Sequence, residues 1–315
     1  MTLLGQPNRQ KLPKIPGDPK SKNIIIYAVV VALLMVVALI SGKLHMEYKP
    51  DTDGKTAEAP FRVHVIDVGQ GDSILVEADG HAMLIDAGEP SAAPKILQYL
   101  QDKGITKLDY IAATHFHSDH IGGMAEVIKA YPPKNIVEPV CPDELLPVTS
   151  IYERYLDAAG NSGARYRALQ AGDRFKVGNA RITVVGPVSA EAEDLNNTSL
   201  VLRVQYGDCT CLFTGDMAFA EEETLLSRKF DLHADFLKVG HHGSSTSSSE
   251  AFLAAVDPDY AVISCKKDND YGHPHKETLE RLKVHTDKIY VTAEKGDIVF
   301  QYDPSTGKRR IVTGK

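Results

Sequence analysis

The chain has 315 residues, 43% of them apolar, and a formal net charge of −7. That is enough apolar sequence for one large core or two modest ones, and the charge argues against a broad basic surface built to wrap a duplex, while leaving room for a local basic groove. Four cysteines, Cys141, Cys209, Cys211 and Cys265, show no CxxC spacing and are expected as small buried hydrophobes rather than a disulfide framework or a ligand set.

In chain order, residues 1–22 carry Arg9, Lys11, Lys14, Lys20 and Lys22 and almost nothing to bury. Residues 23–42, NIIIYAVVVALLMVVALISG, run without a charge. Twenty helical residues rise about 30 Å, the thickness of a bilayer's hydrocarbon core. The long basic flank, the long apolar run and the lack of a following Ala-x-Ala site favour an uncleaved anchor over a cleaved signal peptide. The flank predicts a cytoplasmic N-terminus, so the chain crosses the cell membrane once and everything beyond lies outside the cell. Residues 43–60 read as a polar linker, and 61–315 as the folded domain.

From there, strands are expected at Phe61–Val68, Ser73–Ala78 and His81–Asp86, a helix at Ala93–Lys103, a short buried strand at Tyr110–Ala113 and a helix at Ile121–Ala130. Residues 142–170 read as helical and loop-rich. Further strands are expected near 180–185, 199–205, 209–214, 235–239 and 259–264, with helices near 218–228, 248–255 and 275–285 and closing strands after them. Two sheet-plus-helix halves make a layered α/β architecture. No GxGxxG or GxxxxGK[ST] is present, so Rossmann or P-loop nucleotide binding is unsupported.

The densest chemistry is THFHSDH, Thr114 to His120, where a strand meets a helix. His115 and His117, two apart in extended chain, point to the same side, and Asp119 and His120 follow on the turn. Imidazole and carboxylate suit zinc, manganese or iron. A helix N-terminus capped by Ser118 or Asp119 with incidental histidines is the plainer alternative, and three histidines and an aspartate in six positions argue against it.

HxHxDH after a short buried strand resembles the signature of the metallo-β-lactamase superfamily. Five further stretches in order, DVGQGDSILVE (67–77), LIDAG (84–88), NNTSLVLRV (196–204), LFTGD (212–216) and LKVGHHGSSTS (237–247), followed by YGHPH (271–275), resemble the hydrolase domain of ComEC-type competence proteins and related phosphorylcholine esterases. The resemblance runs from about Phe61 to the C-terminus. It implies a four-layer αββα sandwich, here preceded by one transmembrane helix, and two divalent metal ions, zinc or else manganese, at one edge of the sheets.

Position by position, it implies His115 and His117 on metal 1, Asp119 and His120 on metal 2, and Asp216 as a carboxylate shared by both, which holds two ions about 3.5–4 Å apart. GHHG and YGHPH offer His241, His242, His273 and His275 for the last ligand. The resemblance selects His242, with His241 either behind the ligands or facing substrate and His273 toward the leaving group; His275 reads as a helix start rather than a ligand. Asp119, His241 and His273 are thereby the catalytic candidates. Asp67 and Asp86 are expected behind the ligands, each accepting the outer N–H of a histidine. Gly69 and Gly71 are expected to turn the backbone tightly beneath the metals. His64, His81, His233 and His285 fall outside these motifs and read as structural.

One departure matters. The superfamily generally places a third histidine on metal 1, yet no histidine occurs from Ile121 through Leu232. NNTS stands in its place, where Asn197 offers an amide oxygen, a water fills the position, or the loop simply caps the next strand. More oxygen donors make the site harder, which admits manganese or magnesium beside zinc. The resemblance points to phosphodiester substrates, DNA among them, with Lys238, Lys266 and Lys267 available to phosphate oxygens. Esterase action on phosphocholine-bearing wall polymers and a non-catalytic metal-binding domain are the alternatives, and β-lactam hydrolysis ranks behind them.

Overall fold

Why do so many strands here lack the alternation of a half-exposed sheet? Leu75, Leu84, Ile111 and Leu212 interrupt runs whose other members are equally apolar, and both sets are buried. A strand covered on both faces has no polar side to show. The computed structural model describes residues 59–188, 192 and 194–315. The expected tail, anchor and all but the last two residues of the linker lie outside them.

The strands are β1 (Phe61–Val65), β2 (Ile74–Ala78), β3 (His81–Ile85), β4 (Tyr110–Ala112), β5 (Asn135–Pro139), β6 (Arg165–Leu169), β7 (Arg174–Val177), β8 (Ala180–Gly186), β9 (Val201–Tyr206), β10 (Cys209–Phe213), β11 (Phe236–Lys238), β12 (Tyr260–Ile263), β13 (Ile289–Val291), β14 (Ile298–Asp303) and β15 (Lys308–Thr313). They form two sheets, ordered β15-β14-β1-β2-β3-β4-β5-β6 and β13-β12-β11-β10-β9-β8-β7. The helices are α1 (Ala93–Asp102), α2 (Ser118–Ile121), α3 (Met124–Ala130), α4 (Ser150–Asn161), α5 (Phe219–Ser227), α6 (Glu250–Val256), α7 (Lys276–His285) and α8 (Thr292–Lys295).

Three apolar clusters define four layers. Val63, Val76, Met83 and Ala112 meet Val204, Cys211, Phe213 and Phe236 between the sheets. Leu75, Leu84 and Ile111 on the other face of the first sheet pack on Ile96, Met124, Val127 and Tyr155 from α1, α3 and α4. Leu212, Leu237 and Ile263 pack on Leu225, Phe252 and Leu282 from α5, α6 and α7. Each fully buried side chain of this size contributes roughly 1.5–3 kcal/mol.

Strands β5, β6 and β7 were not expected. β5 is short and ends in Pro139, and β6 and β7 are sheet edges carrying Arg165, Arg167, Arg174 and Lys176, which masks the apolar signal. The residues expected as one helix from Ile121 are split into α2 and α3 at Gly122, where a Cβ would stand 2.4 Å from Pro90 Cδ. All four cysteines are free, and Cys209 and Cys211 are buried between the sheets.

The central strands end on a common rim. In the first sheet β3 and β4 run parallel, and in the second β10, β11 and β12 do. Their C-terminal ends carry Asp86, Thr114–His120, Asp216, Gly240–Gly243 and Ser264.

Candidate metal centre

Ile85 and Ala112 end paired strands, which brings Asp86 alongside Thr114. The Thr114 N–H and hydroxyl donate to Asp86 Oδ1 and Oδ2 at 2.8 and 2.6 Å, locking the start of the histidine loop. His117, extended at φ −70°, ψ 153°, is the N-cap of α2, so the chain turns at once and Asp119 and His120 follow on the first turn.

His120 Nδ1 lies 2.8 Å from Asp86 Oδ2, which leaves Nε2 facing inward, 3.3 Å from Asp216 Oδ2. His242 does the same from the opposite sheet. Its Nδ1 is 3.0 Å from the Ser264 carbonyl, and its Nε2 lies 3.2 Å from Asp119 Oδ2 and 3.4 Å from Asp216 Oδ2. Donor atoms of Asp119, His120, Asp216 and His242 all fall within 4.8 Å of one another. His115 Nε2 is 4.0 Å from Asp216 Oδ2 and 3.0 Å from His117 Nδ1, so Asp216 faces both pairs. The Ser199 hydroxyl accepts the Asp216 N–H at 3.0 Å and stands 3.4 Å from His115 Nδ1.

His120 Nε2, His242 Nε2 and Asp216 Oδ1 are buried and make no well-aligned hydrogen bond among the described residues, although carboxylate oxygens stand 3.2–3.4 Å from the two nitrogens. Orphaned polar atoms of this kind are costly unless something else satisfies them. Two imidazole nitrogens and two carboxylates converging there are a donor set for a divalent ion. The electrostatics agree. Burial opposes charge on His120, but Asp216, Asp119 and Asp86 outweigh it and hold its pKa well above the ordinary value. His242 is raised likewise, against burial, by Asp216, Asp119 and Asp72. Burial opposes the Asp216 carboxylate, yet His242 and His120 hold it well below the usual range.

The loop holding His242 is strained. His241 and His242 take φ +49° and +54°, a left-handed conformation few non-glycine residues adopt. It turns His241 Nε2 to 3.8 Å from Asp216 Oδ2. His273 lies across the cleft, 5.7 Å from the His241 ring and 6.2 Å from that of His242. Burial and the neighbouring His242, His241 and His275 push its pKa down to about 4. His275 caps α7 and accepts the Ser245 N–H at 2.8 Å, a helix start as expected. The cleft, of about 240 Å³, is lined by Gln70, His117, Asp119, Asn196, Asp216, His241, His242, Tyr271 and His273 among others.

Three expectations need correction. Asp67 reaches no site histidine; its Oδ1 accepts the Gly69 N–H at 3.3 Å, inside its own turn. Asn197 turns away from the centre, with Oδ1 accepting the Ala218 N–H and Nδ2 donating to Asp194. It is Asn196 that faces the cleft, with a buried Oδ1 that has no partner among the described residues. Lys238 is fully buried and cannot meet substrate; its Nζ lies 3.0 Å from Asp72 Oδ2 and donates to the Val239 carbonyl.

Asp72 is the residue that sequence reasoning missed. Its Oδ1 is 3.5 Å from His242 Nδ1 and accepts the Ser264 hydroxyl, and its N–H donates to the Asp119 carbonyl at 3.1 Å. A Cβ at Gly71 would stand 2.1 Å from that carbonyl, so only glycine permits the approach. The available signal was Lys238 itself, a charge within the apolar run FLKVG that burial obliges to find a carboxylate.

Residues 66–266 match the family model of the metallo-β-lactamase superfamily. The chain belongs to that superfamily. It is 33% identical over 263 residues to ComE operon protein 3 of Bacillus subtilis (78% of this chain, 33% of that protein) and 32% identical to Competence protein ComA of Neisseria gonorrhoeae (88% and 38%). Recombination protein 2 of Haemophilus influenzae is also 32% identical (76% and 28%). The chain thus spans about a third of the length of these relatives, as a ComEC-type hydrolase domain would. Among solved structures, the metallo-β-lactamase-fold protein YhfI of Bacillus subtilis aligns at TM-score 0.50 and 17% identity, covering 74% of this chain and 96% of its own. The diiron β-hydroxylase CmlA of Streptomyces venezuelae aligns at 0.50 and 12%, covering 82% and 55%. Both likenesses concern the fold alone.

Proposed function

We propose that this superfamily hydrolase is a two-metal phosphodiesterase, acting on nucleic acid and tethered outside the cell by residues 23–42. The observation that carries the reading is the convergence of His115, His117, Asp119, His120, Asp216 and His242 in a chain similar to three competence and recombination proteins. His115, His117 and Asp216 would hold one ion, and Asp119, His120, His242 and the same Asp216 the other, zinc first and manganese second. Bound there, divalent ions supply Lewis acidity, with polarised phosphoryl oxygens and a water acidic enough to ionise near neutral pH.

The chain's own groups do the rest. Asp86 and the Ser264 carbonyl hold the Nδ1 protons of His120 and His242, so that each presents Nε2 to the centre. Asp119, less buried than Asp216, stands where it can orient a nucleophile. His241 and His273 face the cleft from the far side, and His273, neutral at pH 7, keeps one N–H to donate to a leaving oxygen.

The test loads the purified full chain with zinc or manganese and assays single-stranded DNA, bis-p-nitrophenyl phosphate and p-nitrophenylphosphorylcholine. The reading expects turnover of the first two and its loss in the double variant Asp216→Ala, His120→Ala. Turnover of phosphorylcholine alone would replace it with the esterase reading, and turnover of none with either metal would leave a metal-binding domain. Protease protection on intact cells tests the tether, since residues 61–315 are expected to be digested from outside.

A further inference from the structure

The metal cleft does not end at His273. A second cavity, of about 540 Å³, shares that residue, with Pro274, Val291 and Ala293 on its floor and Lys266 and Lys267 on its rim. The two spaces are also joined through the backbone, because the Lys266 N–H donates to Gln70 Oε1 in the metal cleft. Neither lysine has a carboxylate within 4 Å among the described residues, although Asp268 and Glu294 stand on the same rim. At the junction Tyr271 is 65% exposed, and its ring lies 5.5 Å from that of His273 at an interplanar angle of 19°.

We propose that Tyr271 and the lysine-rimmed cavity form a nucleoside subsite, taking the base and sugar beside the scissile phosphodiester of a single nucleic-acid strand. The inference rests on the phosphodiesterase reading of the metal centre and says which groups flank the bond. A base laid on the open face of Tyr271 extends the stack already formed with His273, and such stacking tolerates any base. The apolar floor accepts the sugar and ring edges, and the two ammonium groups meet the next phosphate along the strand.

The test is fluorescence anisotropy of a labelled, hydrolysis-resistant phosphorothioate oligothymidylate with the metal-loaded full chain. The basic residues 1–22 are common to every variant and cancel. Tyr271→Ala is expected to weaken binding about tenfold, within the range for one lost stacked base, and Tyr271→Phe to restore it. Lys266→Gln with Lys267→Gln is expected to weaken binding and flatten the salt slope by about 0.7, the value for the one phosphate of a single strand that the two ammonium groups share. Unchanged affinity in both sets of variants, or displacement of the strand by millimolar phosphocholine, would overturn the subsite. A chain that binds in this way yet hydrolyses no phosphodiester would support the subsite and sink the proposed activity. A phosphodiesterase indifferent to these variants would do the reverse.

Discussion

Asp86 and Asp67 look alike in sequence, each an acidic residue closing an apolar run before a glycine turn, and they do different work. Asp86 spends both oxygens on Thr114 and on His120 Nδ1, whereas the Asp67 carboxylate accepts the Gly69 N–H of its own turn and lies 4.0 Å from Lys315 Nζ, away from every site histidine. Partners of that kind are worth 10- to 100-fold in metal affinity. Asp86→Ala is therefore expected to weaken metal binding by about 10- to 100-fold in a chelator competition, while Asp67→Ala stays within about twofold. Lys238 and Asp72 form the second contrast. Both are fully buried, and removing one partner of a buried pair costs about 3–5 kcal/mol because the other charge is stranded. Lys238→Met should show that loss in urea unfolding. The double variant Lys238→Met, Asp72→Asn should lose less than the two single changes summed.

At the scale of elements, β5 and α4 share a buried carboxyl away from the metal centre. Glu138 on β5 accepts the Tyr155 hydroxyl of α4 at 2.8 Å. Burial raises its pKa, and hydrogen bonds from Tyr166 and Tyr155 only partly oppose the rise. The folded state therefore holds this proton more tightly than the unfolded chain does. Its stabilising contribution is full below the ordinary value of 4.5 and is lost as pH rises through the folded value. Glu138→Gln keeps an acceptor for Tyr155 and removes the titration. The variant is expected to exceed the parent in stability at pH 7.5 and to match it near pH 4, as read by chemical unfolding at both values. The loop between β1 and β2 makes a different kind of tie. Its Asp72 N–H bonds the Asp119 carbonyl in one half, where Gly71 leaves room for the approach, and its Asp72 carboxylate meets Lys238 and Ser264 in the other, so both candidate ligand loops rest on one turn.

For the whole molecule, the candidate metal site lies on the seam between the two sheet-and-helix halves. His115, His117, Asp119 and His120 come from the first sheet's rim, and Asp216 and His242 from the second's. An ion bound there ties the halves and binds the folded state alone, which stabilises by about 2.7 kcal/mol at a free concentration 100 times the dissociation constant. With roughly 2–4 °C of Tm per kcal/mol for a domain of this size, chelation is expected to lower Tm by about 5–10 °C. A calorimetric scan with and without EDTA checks this, and an unchanged Tm would mean the ligands do not hold a metal in solution.

The superfamily resemblance, THFHSDH as a candidate ligand loop, Asp216 at a strand end and the apolar strands were legible in the sequence. Their signals are local: spacing within one loop, and runs of apolar side chains that only a doubly covered strand tolerates. Tertiary structure alone decided which carboxylate stands behind which histidine, because Asp72 and His242 lie 170 positions apart in the chain and meet only when two sheets close on each other. It also moved Lys238 from substrate to scaffold and put Asn196, not Asn197, in the cleft. A one-residue choice within a 3-10 turn depends on which way that turn is rotated, and neighbours remote in sequence set that rotation.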